Sequence, residues 1–320
     1  MPKAEESVPL FREVQTLEGL LIREEEKDWI ERRQAEPSPR PTVLYLGCNI
    51  LRTPHLAQTV TALFRRMGED FVALGGPAFC CGAPFRTEGE KDGGRPWGEK
   101  LASHFERFQP QRVVMWCPGC LHYYERVLAL SGPFRLQHVT EFLAENRDRL
   151  TLAPIPATRV ALHYHSGSPA AERHAAAARA LLAAVPGVEL LEIGTSVTWG
   201  RNCSGILRDG MGQEAWQALI TPFFQKAAAL GADIFATLYH GCQRMYAGYE
   251  EGFPFAIEHY LSVVARALGI AYPDRYKKYL LWKDRDRILE DASPCMKVNH
   301  VKADLAAAVV EHVFVNDRGL

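Results

Sequence analysis

Residues 43 to 68 read VLYLGCNILRTPHLAQTVTALFRRMG and contain a strand, a cysteine and a helix in succession. The run 43–46 is short, largely apolar and bounded by polar or glycine residues, which is typical of a buried strand. A helix is predicted over 53–67, because a threonine can cap it, a proline suits its first position and a glycine stops it. Cys48 therefore follows the carboxyl end of a predicted strand.

The alternation of strand and helix continues beyond this stretch. Short apolar runs at 71–74 and 113–116 predict two further buried strands, and a helix is predicted over 97–108 between them. Strands that alternate with helices are typical of a parallel sheet with right-handed crossovers. The sequence therefore predicts an α/β fold with a parallel sheet.

Five of the eight cysteines follow the three predicted strands. Cys48 comes after the first strand, adjacent Cys80 and Cys81 after the second, and Cys117 and Cys120 after the third. Ligands of open parallel sheets bind outside the carboxyl ends of the strands, so we expect the five thiols to converge. In a reducing cytosol such a group favours metal ligation or redox chemistry, and neighbouring cysteines are poorly placed to bridge each other.

The same succession of elements recurs downstream, which predicts an internal duplication. An interval of 35 residues separates Cys81 from Cys117, and the same interval separates Cys203 from Tyr239 in the second copy. The apolar runs that match the three strands are 160–165, 188–193 and 234–239.

The cysteine pattern C-x31-C-C-x35-C-P-G-C resembles the CCG, or cysteine-rich, domain found in the B-type subunits of heterodisulfide reductase and in their relatives. The resemblance covers about residues 42–245 and implies duplicated, Rossmann-like parallel-sheet domains with flanking helices and with helical N- and C-terminal extensions. The predicted parts are an N-terminal helix and linker at 1–41, a first CCG domain with the complete motif at 42–150, a second with a degenerate motif at 151–245, and a helical extension at 246–320.

Helices are predicted in both extensions from apolar periodicity. Four apolar residues between 10 and 21 repeat at helical spacing, and we expect this stripe to dock on its own domain. In the C-terminal extension, residues 255–268 and 305–314 are the clearest helical segments.

The resemblance implies a noncubane [4Fe-4S] cluster bound by the five thiols of the first copy. Soft thiolates select iron–sulfur clusters or zinc over hard cations, and zinc on four of the five thiols is the alternative. The implied function is that of an oxidoreductase subunit for electron transfer or for thiol, disulfide or sulfane-sulfur chemistry. The alternative is a zinc-stabilised scaffold or assembly subunit without redox activity. The proposed cluster ligands are Cys48, Cys80, Cys81, Cys117 and Cys120.

Three side chains close to this motif in the sequence are candidates for substrate contact: Arg52, His55 and His122. Each has an ordinary alternative, since Arg52 can be a solvated charge and His122 a surface residue of a helix. The expected partners are flavin or ferredoxin-type iron–sulfur subunits of a heterodisulfide-reductase-like complex, and a thiol or disulfide small molecule or carrier.

The second copy retains too few cysteines for a cluster bound by five thiolates. Its metal-ligand candidates are His165, Cys203, His240 and Cys242, with His163 nearby. Two sulfurs and two nitrogens suit tetrahedral zinc or an iron–sulfur cluster with mixed ligation. The alternative is a degenerate half that is kept for its packing.

Composition excludes several other classes of protein. The 320 residues are 47% hydrophobic, which is ample for a core. The 37 basic and 38 acidic residues give a formal charge of −1, so nucleic-acid binding is not expected. No apolar run reaches the length of about 18 residues that a membrane span needs, and the N-terminus lacks signal-peptide features. We therefore expect a cytoplasmic protein without a membrane span.

Overall fold

The computed structural model describes residues 4–23, 26–27, 38–86, 90–194, 203 and 205–316. The chain divides into two units, of which the first comprises Met1–Phe142 with Asp286–Val310 and the second Leu143–Arg285 with Glu311–Leu320. Each unit contains a four-stranded parallel sheet, so the predicted α/β fold is confirmed.

The first sheet has the strand order β2-β1-β3-β4. Its central strand is almost entirely apolar, and Val43 lies in register with Val72 on one side and with Val113 on the other. All three side chains are buried, because a strand with neighbours on both sides and helices on its faces has no contact with water. The strands are β1 Thr42–Gly47, β2 Phe71–Gly75, β3 Arg112–Met115 and β4 Arg135–His138.

The second sheet repeats this topology with the order β6-β5-β7-β8. Val160 of its central strand pairs with Leu190 and with Ile234, as Val43 pairs in the first sheet. The same order and central strand in both sheets confirm the predicted duplication. The strands are β5 Thr158–His163, β6 Val188–Leu191, β7 Ile234–Thr237 and β8 Ala256–His259.

Helices connect the strands and form both ends of the described chain. None of the helices within the described ranges has the length and apolar composition needed to cross a membrane. They are α1 Ala4–Leu21, α2 Pro54–Arg66, α3 Arg95–Glu106, α4 Pro118–His122, α5 Val139–Glu145, α6 Pro169–Ala183, α7 Gly205–Met211, α8 Gln213–Ala229, α9 His240–Tyr246, α10 Tyr260–Arg266, α11 Arg275–Trp282, α12 Arg285–Val298 and α13 Ala303–Val310.

The N-terminal helix α1 packs within the first unit, against α13 and against the short 3-10 turn Asn49–Arg52. Its apolar residues Val14, Leu17 and Leu21 are buried, as the helical spacing predicts. This packing places one face of α1 next to the segment that follows Cys48.

The fourth strand of each sheet is not predicted from the sequence. Strand β8 occupies the beginning of the helix predicted over 255–268, and α10 starts only at Tyr260. Both β4 and β8 end in a histidine whose Nδ1 accepts a backbone N–H two residues on: His138 from Thr140 and His259 from Leu261, each at 3.3 Å. These edge strands have four residues of mixed polarity, so pairing with a neighbouring strand, rather than a sequence pattern, defines them.

Candidate metal centres

The five cysteines of the first unit lie beyond the carboxyl ends of three adjacent strands. Cys48 follows β1, Cys80 and Cys81 follow the turn after β2, Cys117 follows β3, and Cys120 lies on α4. All five are free thiols, four of them buried and Cys117 partly buried. The parallel topology therefore brings to one edge of the sheet residues that are 73 positions apart along the chain, both ends counted.

The five sulfur atoms form a continuous series of neighbours. Cys81 Sγ and Cys120 Sγ are 3.3 Å apart. The thiol of Cys80 lies within hydrogen-bonding range of Cys48 and Cys81, and the thiol of Cys117 lies within that range of Cys120. We call this group of five cysteines the five-thiol site.

The thiols differ in acidity because each thiol interacts with the next. Contact with the thiol of Cys120 lowers the pKa of both Cys81 and Cys117. Contact with Cys48 and Cys81, together with burial, raises the pKa of Cys80, and contact with Cys117 and Cys81 raises that of Cys120. Cys81 and Cys117 are therefore the thiols that ionise first, and the thiolate is the form that binds metals.

The turn around Cys81 requires glycine at position 82. Gly82 has a φ of +91°, a conformation that side chains disfavour, and its backbone N–H points to Cys80 Sγ at 3.4 Å. A Cβ at this position would collide with the carbonyl of Gly94. Gly94 in turn donates its backbone N–H to the hydroxyl of Tyr123 at 3.0 Å. Close packing of two backbone segments thus holds the cysteine turn in place.

The three candidates for substrate contact have different environments. Arg52 is 1% exposed, and its guanidinium pairs with the carboxylate of Glu13 on α1 at 2.6 Å. His55 is buried in the first turn of α2. His122, the last residue of α4, is exposed. Of the three side chains, His122 is the one that a molecule in solution can reach.

A cavity of about 190 Å³ lies in the first unit beside the turn that leads to Cys80. The turn contributes residues 75–78 and α1 contributes Gln15 and Glu18 to its walls, which Leu51 and Lys27 complete. It combines charged side chains with exposed backbone of the turn, and it opens close in sequence to both Cys48 and Cys80.

The second unit contains a separate group of four potential metal ligands, His163, His165, Cys203 and Cys242, whose ligand atoms all lie within 4.8 Å of one another. His163 Nε2 is 3.4 Å from Cys203 Sγ, and His165 Nε2 is 3.5 Å from the same sulfur. His165 Nε2 is also 3.1 Å from Cys242 Sγ. We call these four residues the His–Cys site.

Burial favours the neutral state of the histidine and separates the two thiols. Desolvation lowers the pKa of His163, so the imidazole is neutral and able to bind a metal. Burial opposes ionisation of Cys203, yet contact with Cys242 and with the two imidazoles outweighs it and lowers the pKa of this thiol. Burial and the neighbouring Cys203 raise the pKa of Cys242.

His240 lies outside the group of four, although its position in the sequence predicts a ligand. It is buried at the start of α9, and burial together with the nearby Arg244 lowers its pKa to about 3. Residues two apart on a helix point in directions about 200° apart, so His240 and Cys242 face different sides of α9. Residues two apart on an extended strand share a face, as His163 and His165 do. This alternation is the sequence signal that identifies His163 as the fourth member.

Comparison with known proteins identifies the class of the first domain. Residues 42–123 match the family model of CCG, described as a cysteine-rich domain. The match includes all five cysteines of the five-thiol site, and the resemblance predicted from their spacing is confirmed.

Two curated proteins resemble a larger part of the chain. Both are named as the same subunit of a dihydromethanophenazine:CoB–CoM heterodisulfide reductase. The protein from Methanosarcina barkeri is 26% identical over 247 residues, which are 72% of this chain and 59% of the relative. The protein from Methanosarcina mazei is 25% identical over 247 residues, which are 71% of this chain and 59% of the relative. The chain thus spans about three-fifths of the length of the curated relatives it matches.

Proposed function

We propose that this chain is an iron–sulfur redox subunit of a heterodisulfide-reductase-like complex. The cysteine-rich domain match and the similarity to two heterodisulfide reductase subunits support this assignment. The observation that carries it is the five-thiol site, because five buried or partly buried free thiols in one series of neighbours make an unusually sulfur-rich ligand set.

The finer part of the proposal is that the five thiols hold a noncubane [4Fe-4S] cluster. The donor set fits such a group: all ligands are soft sulfurs, and interactions with Cys120 favour ionisation of Cys81 and Cys117. A tetrahedral zinc ion would leave one of the five thiols unused. When bound, a cluster of this kind supplies single-electron transfer next to a thiol or disulfide. The surrounding chain contributes the rigid turn at Gly82 and the covering helix α1.

We further propose that the substrate is a thiol, a disulfide or sulfane sulfur on a small molecule or carrier, and that flavin or ferredoxin-type iron–sulfur subunits are the redox partners. His122 is the candidate for contact with such a molecule, because it is exposed and lies two residues after Cys120. The cavity beside the turn that leads to Cys80 is a second approach to the site.

Metal analysis of anaerobically purified protein tests the proposal. We expect iron and acid-labile sulfide at about four each per chain and visible absorption that bleaches on reduction with dithionite. Replacing any one of the five cysteines by serine should lower the iron content. Cys295→Ser is the matched control, because Cys295 is a buried cysteine on α12 outside both sites.

Two results would contradict parts of this proposal. Full iron and sulfide in one of the five single variants would indicate a cluster with four cysteine ligands rather than the noncubane type. A colourless protein with stoichiometric zinc at the five-thiol site and no sulfide would favour a scaffold or assembly subunit instead.

A further inference from the structure

We propose that the His–Cys site is a closed, four-coordinate zinc site in the second unit. It is composed of His163, His165, Cys203 and Cys242, and none of these residues belongs to the five-thiol site. The inference does not depend on the proposed redox function, since it rests on a different unit and a different set of ligands.

The separations between ligand atoms match the edges of a zinc tetrahedron. Zinc–sulfur bonds of about 2.3 Å and zinc–nitrogen bonds of about 2.0–2.1 Å place nitrogen and sulfur ligands about 3.5 Å apart. The nitrogen–sulfur distances at the site are 3.4 Å from His163 to Cys203, 3.5 Å from His165 to Cys203 and 3.1 Å from His165 to Cys242. The chain is therefore folded into the geometry that one metal ion requires.

A cluster with mixed ligation fits this geometry less well. In a two-iron cluster with two histidines on one iron and two cysteines on the other, an iron–iron spacing separates the nitrogens from the sulfurs. Here each histidine Nε2 lies in direct contact with a cysteine sulfur, and Cys203 Sγ contacts both rings. A single ion is the occupant that brings all four atoms so close together.

The surroundings of the site are those of a structural metal centre. His163, His165 and Cys242 are at most 1% exposed. The ring of His163 packs against Phe223 and Phe235, and its Nδ1 has no hydrogen-bond partner in the described part of the chain. Four protein ligands fill a tetrahedral zinc ion and leave no position for a substrate, which distinguishes a structural from a catalytic zinc.

The ligands come from three separate segments of the second unit. His163 ends β5, and Cys242 lies on α9, which follows the neighbouring strand β7. Cys203 precedes α7, and the hydroxyl oxygen of Tyr246 lies 3.1 Å from its sulfur. A tyrosine hydroxyl at this distance can donate to a metal-bound thiolate and hold it in place. A zinc ion would therefore tie the segment before α7 to the edge of the sheet.

Zinc, iron and acid-labile sulfide should be measured per chain in the parent protein and in four variants. We expect about one zinc in the parent, at least a tenfold loss in Cys203→Ala/Cys242→Ala, and a clear loss in His163→Ala. The control His240→Gln should keep its zinc, because His240 is buried nearby but lies outside the group of four. Cys81→Ser/Cys120→Ser should also keep its zinc, even where its iron is lost.

A measurement on the parent protein avoids dependence on variants that fail to fold. After exchange of zinc for cobalt(II), we expect the intense visible bands of tetrahedral cobalt and a thiolate-to-cobalt charge-transfer band. Zinc that survives in the Cys203→Ala/Cys242→Ala variant, iron with sulfide at this site, or absence of tetrahedral cobalt bands would each overturn the inference. None of these results would by itself remove the iron expected at the five-thiol site.

Discussion

The hydroxyl of Tyr45 donates a hydrogen bond of 2.8 Å to the backbone carbonyl of Phe79. Tyr45 is fully buried on the central strand β1, and Phe79 immediately precedes Cys80. Burial and the nearby thiols, first among them Cys120, raise the pKa of this tyrosine well above its usual value, so it remains a donor. One side chain thus fixes the position of the turn that carries two of the five thiols.

Tyr45→Phe should destabilise the protein by about 1 kcal/mol, because it removes this donor and leaves a buried carbonyl without its partner. We also expect lower iron content after purification. Denaturant unfolding and iron analysis measure the two effects. Tyr124→Phe is the control, since the buried hydroxyl of Tyr124 has no hydrogen-bond partner in the described part of the chain. An equal loss in both variants would show that the Tyr45 hydrogen bond has no special effect.

Glu13→Gln should lower the free energy of unfolding by about 3 kcal/mol, because it leaves the charge of Arg52 buried without its partner. Chemical denaturation followed by tryptophan fluorescence measures the change. Asp70→Asn removes a comparable ion pair, at 3.0 Å from Arg40, but both side chains are more than a third exposed. It should cost less than about 1 kcal/mol. Equal costs would show that burial of Arg52 does not strengthen its dependence on Glu13.

Gly82→Ala should reduce the iron bound at the five-thiol site by more than half. The added methyl group meets the carbonyl of Gly94, so the turn after Cys81 must move. Gly68→Ala separates this clash from the cost of a positive φ, because Gly68 has a φ of +65° and nothing within 4 Å of its Cβ position. Iron per folded chain is the readout, and normal iron in Gly82→Ala would contradict the prediction.

Gln243→Leu should destabilise the second unit by about 2 kcal/mol. The Gln243 amide donates to the carbonyl of Ile257 at 3.1 Å and accepts the hydroxyl of Thr237 at 3.2 Å, so it joins β7 to the edge strand β8. Leucine fills the space but leaves both buried groups unpaired. Gln213→Leu removes an exposed hydrogen bond to Tyr249 and should change stability by less than about 0.5 kcal/mol. Thermal unfolding of both variants tests the difference.

The central strands and the helices between them follow from the sequence, because buried parallel strands are short apolar runs with clear boundaries. Strands β4 and β8 do not, since their four-residue sequences RLQH and AIEH carry no strong period and take their conformation from the neighbouring strand. The environment of Arg52 also could not be read from its sequence neighbours. Its partner Glu13 lies 39 residues earlier, on a helix whose docking position only the folded unit defines.

The sequence by itself determined the duplicated parallel architecture and the convergence of Cys48, Cys80, Cys81, Cys117 and Cys120, because strand order and strand ends impose a common edge on residues placed just after each strand. Tertiary structure alone decided which histidine joins Cys203 and Cys242. That choice depends on the direction of each side chain: His163 and His165 share a face of an extended segment, whereas His240 and Cys242 point to different sides of a helix.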